Sequence, residues 1–200
     1  ISGGTATGSG NIDISTVNIE ENGRRTPVNY ILPPGVTRIL DPGQPQLRQE
    51  NEQSLSLKLT DLDPDDSRSV YKGSMYDMRR YKRLQMFVHA ERLPEDPGTL
   101  QDGDLSIFLR LGSDYRNNYY EYEIPLQLTP EGQYSSNNPS DQEKVWPGRN
   151  MFDISLKLLT DLKLARNDEK AHDDGISFFV PYSQPDPEKP ENKISITGNP

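Results

Sequence analysis

Hydrophobic and polar residues alternate with a period of two in several short stretches of the chain. Side chains of a β-strand point alternately to its two faces, so each stretch predicts a strand with one apolar face. The clearest stretches are SLSLKLTDL (54–62), LQMFVHAE (84–91), DLSIFLRLGSD (104–114) and NNYYEYEIPLQL (117–128). Three more are MFDISLKL (151–158), GISFFVPY (175–182) and KISITG (193–198). Turn-rich loops separate them, which is typical of an antiparallel sandwich or barrel.

The same alternation predicts which side chains form the core. The residues on the apolar faces are Leu84, Met86, Val88, Leu105, Ile107, Leu109, Ile124, Leu126, Ile154 and Leu156. Pro125 cannot donate to a strand ladder, so we expect a sheet edge or a bulge there. One helix is predicted over 155–167, where Leu158, Leu159 and Leu162 recur at helical spacing.

Proline and glycine divide the chain into a lead and one domain. Residues 1–28 are predicted to be a flexible linker or a strand tail, because they begin with a Gly- and Ser-rich run. Residues 29–200 are predicted to form a single β-sandwich domain. Its lead-in, 29–53, is punctuated by prolines that forbid a long helix, and we expect it to lie on the surface. The stretches 131–144 and 183–192 are predicted to be exposed polar loops.

Composition narrows the function classes. The 200 residues carry a formal charge of −9, and a surface of that sign disfavours a role on nucleic acid or anionic lipid. No apolar run approaches the roughly 20 residues of a membrane helix. There is no cysteine, which excludes disulfides and cysteine-based chemistry. The chain starts without a signal peptide, so we expect it to be part of a longer protein.

Residues that could carry chemistry are sparse. The sequence has none of the common nucleotide-binding, serine-hydrolase or zinc-protease motifs, so we expect no enzyme and no cofactor. His89 alternates with the apolar face of its strand, and His172 lies in a charged stretch, so both are interpreted as solvated or hydrogen-bonded. The run DLDPDDS offers Asp61, Asp63, Asp65 and Asp66, but it lacks the glycine and closing glutamate of a calcium loop. These four are weak metal candidates beside the simpler interpretation of an acidic turn.

Aromatic residues leave two alternatives open. Tyr115, Tyr119 and Trp146, the only tryptophan, are the candidate platform for a sugar or a protein interface. They serve equally well as the cover of a half-buried sheet, and Trp146 in VWPG is favoured as a packed corner.

A basic segment, YDMRRYKR (76–83), directly precedes the strand 84–91. Its cations are expected to pair with the acidic run at Asp61 to Asp66. Met78, Tyr81 and Leu84 are expected to anchor its apolar side, which makes the segment architectural.

Two resemblances add to these patterns. The stretch DMRRYKRLQMFVHAE resembles the entry into a strand of jelly-roll sandwiches of the galactose-binding-like, carbohydrate-binding type. Residues 29–200 resemble the SprA/Sov proteins of Bacteroidota. The resemblance rests on six motifs in this order: LPPGVTR, QLRQENEQSLSLK, DDSRSVYK, YKRLQMFVHAE, VWPGRNMFDISL and ISITGNP. The first 28 residues carry none of these motifs.

The SprA/Sov resemblance implies a function that the residues alone do not. These proteins are giant outer-membrane translocons of the type 9 secretion system and are needed for gliding motility. The implied partners are other parts of the translocon, a smaller outer-membrane barrel protein, a periplasmic plug and secreted cargo proteins. Few alternating segments here suit a lipid-facing barrel wall, so we expect a non-catalytic scaffold or cap, associated with the outer membrane but not inserted in it. The alternative is a cell-surface carbohydrate-binding module, and a hydrolase is third.

Overall fold

The computed structural model describes residues 2–3, 10–38, 52–73, 77–96 and 98–200. The strands are β1 (Ser2–Gly3), β2 (Asn11–Asn18), β3 (Gln53–Thr60), β4 (Val70–Tyr71), β5 (Arg83–Met86), β6 (Ser106–Asp114), β7 (Asn118–Pro125), β8 (Phe152–Ser155), β9 (Tyr182–Pro185) and β10 (Lys193–Thr197). The helices are α1 (Ile19–Asn22), α2 (Pro139–Val145) and α3 (Leu156–His172), with short 3-10 turns at Met78–Arg80 and Gly148–Asn150.

The central sheet has four antiparallel strands in the order β6–β7–β10–β9. Its register sets Ile107 opposite Ile124 and Tyr122 opposite Ile194. Opposed residues of an antiparallel pair project from the same face, so these side chains form one apolar surface. Pro125 is the last residue of β7 and lies beyond the last β7 residue that pairs with β10, so its missing N–H costs no ladder bond on that side.

The apolar face of this sheet packs against β8 and α3. The buried members of this main cluster are Val88, Tyr122, Ile124, Phe152, Ile154, Leu162, Ile194 and Ile196. Full burial of each large apolar side chain contributes about 1.5–3 kcal/mol.

The core prediction is confirmed for Val88, Ile124 and Ile154, which are buried. Six other predicted core residues are half-buried, namely Leu84, Leu105, Ile107, Leu109, Leu126 and Leu156. The prediction that Met86 is buried is wrong, because this residue is 41% exposed. Among the described residues β5 pairs only with β8, and this two-stranded ribbon leaves the end of β5 open.

The helix predicted over 155–167 is confirmed as α3, which continues to His172. The period of the apolar positions changes where the helix begins. Phe152 and Ile154 alternate in β8, whereas Leu158, Leu162 and Arg166 follow one another every four residues in α3. Lys170 and His172 lie in the last turn, where cations favour the negative end of the helix dipole.

The proline-rich lead-in contributes to a second cluster, and the expectation that it lies on the surface is wrong for residues 29–31. The buried members of this second cluster are Val28, Tyr30, Ile31, Val145 and Trp146. Val145 comes from α2, which lies largely within the predicted polar loop 131–144. Asn138 caps α2 by accepting a hydrogen bond from the Ser140 amide, and Pro139 occupies its first turn.

Two strand predictions need correction. The strand proposed at 175–182 is wrong, since residues 176–181 form no strand and Phe179 is 87% exposed. The last strand before β10 begins instead at Tyr182 and extends into the predicted polar loop 183–192. The strand predicted at 84–91 ends at Met86.

The long ribbon of β2 and β3 is separate from the central sheet. Eight residue pairs join the two strands, and Ile14, Leu55 and Leu57 on its apolar face are each about two-fifths to one-half exposed. The β-rich antiparallel class with few helices is confirmed, while the jelly-roll arrangement and the boundary at residue 28 stay predictions.

Candidate functional site

His89 lies at a junction of four chain segments. Its Nδ1 is 2.9 Å from the Val145 carbonyl oxygen and 3.2 Å from the Thr129 hydroxyl. Its Nε2 is 3.2 Å from the Glu91 carboxylate, which in turn pairs with Arg25 at 2.6 Å. Residues from the segment after α1, the segment after β5, the segment after β7 and the end of α2 therefore meet around one imidazole.

This geometry uses both ring nitrogens of His89. A backbone carbonyl and a carboxylate can only accept hydrogen bonds, so each holds a ring N–H in place when that nitrogen is protonated. The ring also packs edge-on against Trp146, with centroids 5.8 Å apart. The hydrogen-bonded interpretation of His89 agrees with this position. His172 lies in the last turn of α3, with Nδ1 2.8 Å from the Asp168 carbonyl oxygen.

Trp146 is a buried corner and not an exposed platform. Only 7% of it is exposed, and its indole N–H donates to the Ile31 carbonyl at 3.0 Å. Tyr30 and Phe87 meet the indole edge-on, with ring centroids 6.1 and 6.3 Å away. The packed-corner interpretation is therefore the one that the geometry supports, and Trp146 is withdrawn as a sugar-stacking candidate.

The two tyrosine candidates differ in exposure. Tyr119 is 7% exposed, and the Arg110 guanidinium lies 4.2 Å from its ring centroid, so its face is already occupied. Tyr115 is half-exposed, donates from its hydroxyl to the Lys72 carbonyl, and contacts Tyr71 with a centroid distance of 5.8 Å. Of the three proposed platform residues, only Tyr115 presents ring surface.

The acidic run after β3 forms a turn. Asp61 and Asp65 adopt left-handed backbone conformations, and the Asp66 amide donates to the Asp63 carbonyl. The Asp66 carboxylate lies 3.5 Å from the largely buried Arg68 guanidinium. In the ranges that the structure describes, no three acidic or histidine side chains approach closely enough to hold a metal ion.

Arg83 of the basic segment does not pair with the acidic run as expected, and the Arg79 side chain lies outside the described residues. Arg83 makes two contacts of 2.9 Å with Asp153 of β8, 70 residues away, and Gln85 donates to the same carboxylate at 3.0 Å. These donors lower the pKa of Asp153, with the hydrogen bond from Arg83 as the largest cause. Tyr81, expected to anchor the segment, is 58% exposed, so that expectation is wrong.

A buried hydrogen-bond network includes two residues of the stretch 183–192, so the prediction of an exposed polar loop is wrong for Asp186 and Asn192. The Tyr122 hydroxyl donates to Asp186 and accepts from the Asn192 amide at 3.0 Å. Asp186 and Asn192 are 6% and 1% exposed. Burial raises the pKa of Tyr122, and the hydrogen bond to Asp186 raises it further.

Arg166 of α3 is a second buried polar group that the sequence patterns missed. It is fully buried, donates to the Gly198 carbonyl at 2.6 Å, and lies 4.4 Å from the Phe178 ring centroid. Within the described residues it pairs with no carboxylate, and burial lowers its pKa. The only feature of the sequence that indicates burial of Arg166 is its position four residues after Leu162. That spacing predicts that the side chain faces the core, but it does not predict a hydrogen-bond partner.

These features define a β-rich, antiparallel domain whose histidine, tryptophan and buried charges are committed to internal contacts. No described helix has both the length and the apolar character needed to cross a membrane. Residues 3–200 match the SprA_N family, described as motility related/secretion protein, and the chain belongs to that family. The match begins at residue 3, so residues 3–28, which showed no motif, are also covered by it. A search of curated proteins gives no match.

Proposed function

We propose that this region is a non-catalytic scaffold or cap of a large outer-membrane translocon of the type 9 secretion system, which also serves gliding motility. The observation that carries the proposal is the family match over residues 3–200, because that family is described as motility related and secretory. The order of motifs in 29–200 supplies the narrower link to the SprA/Sov translocons.

The internal use of reactive side chains supports a scaffold. Both ring nitrogens of His89 face acceptors, and the Asp186 carboxylate accepts the Tyr122 hydroxyl. A general base needs an accessible lone pair within hydrogen-bond reach of its substrate. Groups held in this way instead fix the relative positions of distant chain segments.

The proposal places the region in the cell envelope, on either side of the outer membrane. Its partners would be other parts of the translocon, among them an outer-membrane barrel protein and a periplasmic plug, together with secreted cargo proteins.

The experiment is an in-frame deletion of residues 29–198 in the parent protein, with a Phe179→Ala parent as the surface control. We expect the deletion to reduce type 9 cargo in the culture medium and to impair gliding, while immunoblots show the parent at its normal level. A parent at its normal level with undiminished export and gliding would refute the proposal. Should the deletion lower the parent level, Val88→Asp in the full-length parent repeats the test by disrupting only this core.

The carbohydrate-binding alternative has its own decisive measurement. Since Trp146 and Tyr119 are buried, Tyr115 is the platform residue left to test. Glycan titration of the purified chain, with Tyr115→Ala as the variant, should give no saturable binding. Millimolar or tighter binding that Tyr115→Ala abolishes, together with intact export, would favour a carbohydrate-binding module.

A further inference from the structure

Residues 80–83 are here called the basic turn. Two of its cations, Arg80 and Lys82, have side chains that take no part in the internal contacts of the described residues. Arg80, Lys82 and Tyr81 are exposed, with Tyr81 at 58%. Within the part of the chain that the structure describes, the side chains of Arg80 and Lys82 form no hydrogen bond or ion pair. Arg83 is different, because Asp153 neutralises it.

The backbone of the basic turn is fixed. The Arg80 amide donates to the Asp77 carbonyl at 3.2 Å, and the Tyr81 amide donates to the Met78 carbonyl at 3.1 Å. The Lys82 carbonyl accepts from the first amide of α3 at 3.0 Å. The turn is therefore presented in one conformation, which lowers the entropic cost of binding a partner.

The charge of the turn stands out against the chain. The whole sequence carries −9, yet Arg80 and Lys82 form no ion pair with any described acid. Two acids on the neighbouring β8 and α3 are engaged elsewhere: Asp153 binds Arg83 and Gln85, and Asp161 binds Lys157 at 2.6 Å. Glu188 acts electrostatically on Arg83.

We propose that the basic turn is a docking site for a carboxylate-rich segment of a partner protein. Arg80 and Lys82 would pair with two carboxylates, and Tyr81 between them would supply apolar contact area. Exposed arginine and tyrosine are the residue types enriched in protein interfaces and in their energetic hot spots. The inference concerns the chemistry of the turn and stands independently of the proposed secretory role.

The size of the turn favours a protein segment over a larger polyanion. A peptide of four extended residues is roughly 13 Å long, so a short segment is sufficient to cover the turn. Charges interact over about 8 Å at physiological ionic strength, so a membrane surface or a nucleic-acid duplex, which extends beyond the turn, would also meet the rest of a chain with a net charge of −9. A short acidic segment contacts the cations and avoids that repulsion.

The test uses the 200-residue chain and a fluorescent peptide of alternating glutamate and glycine, with the glutamine–glycine peptide as the neutral probe. Anisotropy gives the affinity, and amide chemical shifts locate the contact. The variant is Arg80→Glu/Lys82→Glu. The matched control is Arg24→Glu/Arg149→Glu, which reverses two exposed arginines elsewhere and changes the net charge equally. Circular dichroism checks that both variants fold.

We expect weak, salt-sensitive binding of the acidic peptide, with shifts centred on residues 80–83. The double reversal at the turn should weaken it at least about tenfold, and the control by less than about twofold. Equal losses in both variants, or shifts elsewhere, would overturn the proposal in favour of general electrostatics. No binding at millimolar peptide would overturn it as well. So would binding of phosphatidylglycerol vesicles or duplex DNA, but not of the peptide, through the same cations.

Discussion

Replacing Trp146 by alanine should remove the centre of the second cluster. The indole is 7% exposed, contacts Tyr30, Phe87 and His89, and donates to the Ile31 carbonyl. Truncation of a buried tryptophan costs about 3–5 kcal/mol, because transfer energy is lost and a cavity remains. A domain of this kind has a total stability of about 5–15 kcal/mol, so the loss is a large fraction of it.

Trp146→Phe separates the two contributions of the indole. The phenyl ring keeps much of the aromatic contact but cannot donate to Ile31, so a buried carbonyl loses its partner at a cost of about 1–3 kcal/mol. We therefore expect a smaller loss for phenylalanine than for alanine. This conservative variant also keeps the test usable if Trp146→Ala does not fold.

Urea unfolding followed by far-ultraviolet circular dichroism measures these differences, since the substitutions remove the only tryptophan fluorophore. Phe179→Ala is the matched control, because Phe179 is 87% exposed and its loss should stay within about 0.5 kcal/mol. If Trp146→Ala unfolds at the same urea concentration as Phe179→Ala, the buried corner is wrong and the platform interpretation returns.

Three further predictions use the same unfolding assay. Val88→Asp and Phe87→Asp should both destabilise by several kcal/mol, because each residue packs against one of the two clusters; a mild Phe87→Asp would place that side chain outside. Tyr122→Phe should cost about 1–3 kcal/mol, because the Asp186 carboxylate loses its hydroxyl donor and keeps the Glu188 amide, while the Asn192 amide loses its acceptor. The folded state raises the pKa of Tyr122, so the stability that its hydroxyl contributes is complete below about pH 10 and is lost above it. The difference in unfolding free energy between wild type and Tyr122→Phe should therefore become smaller at alkaline pH. A difference that stays constant would contradict the buried hydrogen bond from Tyr122 to Asp186. Arg166→Met should change stability by no more than about 1 kcal/mol, or raise it, because it removes a buried cation without a carboxylate partner; a loss above about 3 kcal/mol would show that its bonds outweigh its desolvation.

Alternation along the chain was sufficient to locate most of the fold. The strands β3, β6, β7 and β10 lie where strict period-two patterns predict them, and α3 lies where the spacing changes to helical. These signals are local, since they depend only on which face of one element is apolar. The same rule failed at 175–182, where the apolar run forms no strand and Phe179 and Val180 stay largely exposed.

Partners distant in sequence could not be predicted in this way. Arg83 was expected to bind the acidic run at Asp61 to Asp66, but its partner, Asp153, is brought to it by the pairing of β5 with β8. Prolines in the lead-in exclude a helix, yet they carry no information about burial, so the insertion of Tyr30 beneath Trp146 was missed. A polar loop likewise gives no sign that Asp186 is buried and satisfied by a tyrosine.

The packing of the segment after β5 accounts for the regular alternation that follows the basic turn. Val88 belongs to the main cluster, whereas Phe87 and His89 contact the second cluster through Trp146. Alternation here does not separate a buried face from a solvated one, because the chain runs between two cores and has a packed side chain on each side. A segment held from both sides has little freedom, and the turn that leads into it inherits that rigidity. The exposed Tyr81 and its neighbouring cations therefore lie just before a segment that is packed on both sides, and a rigid support of this kind favours a specific contact surface.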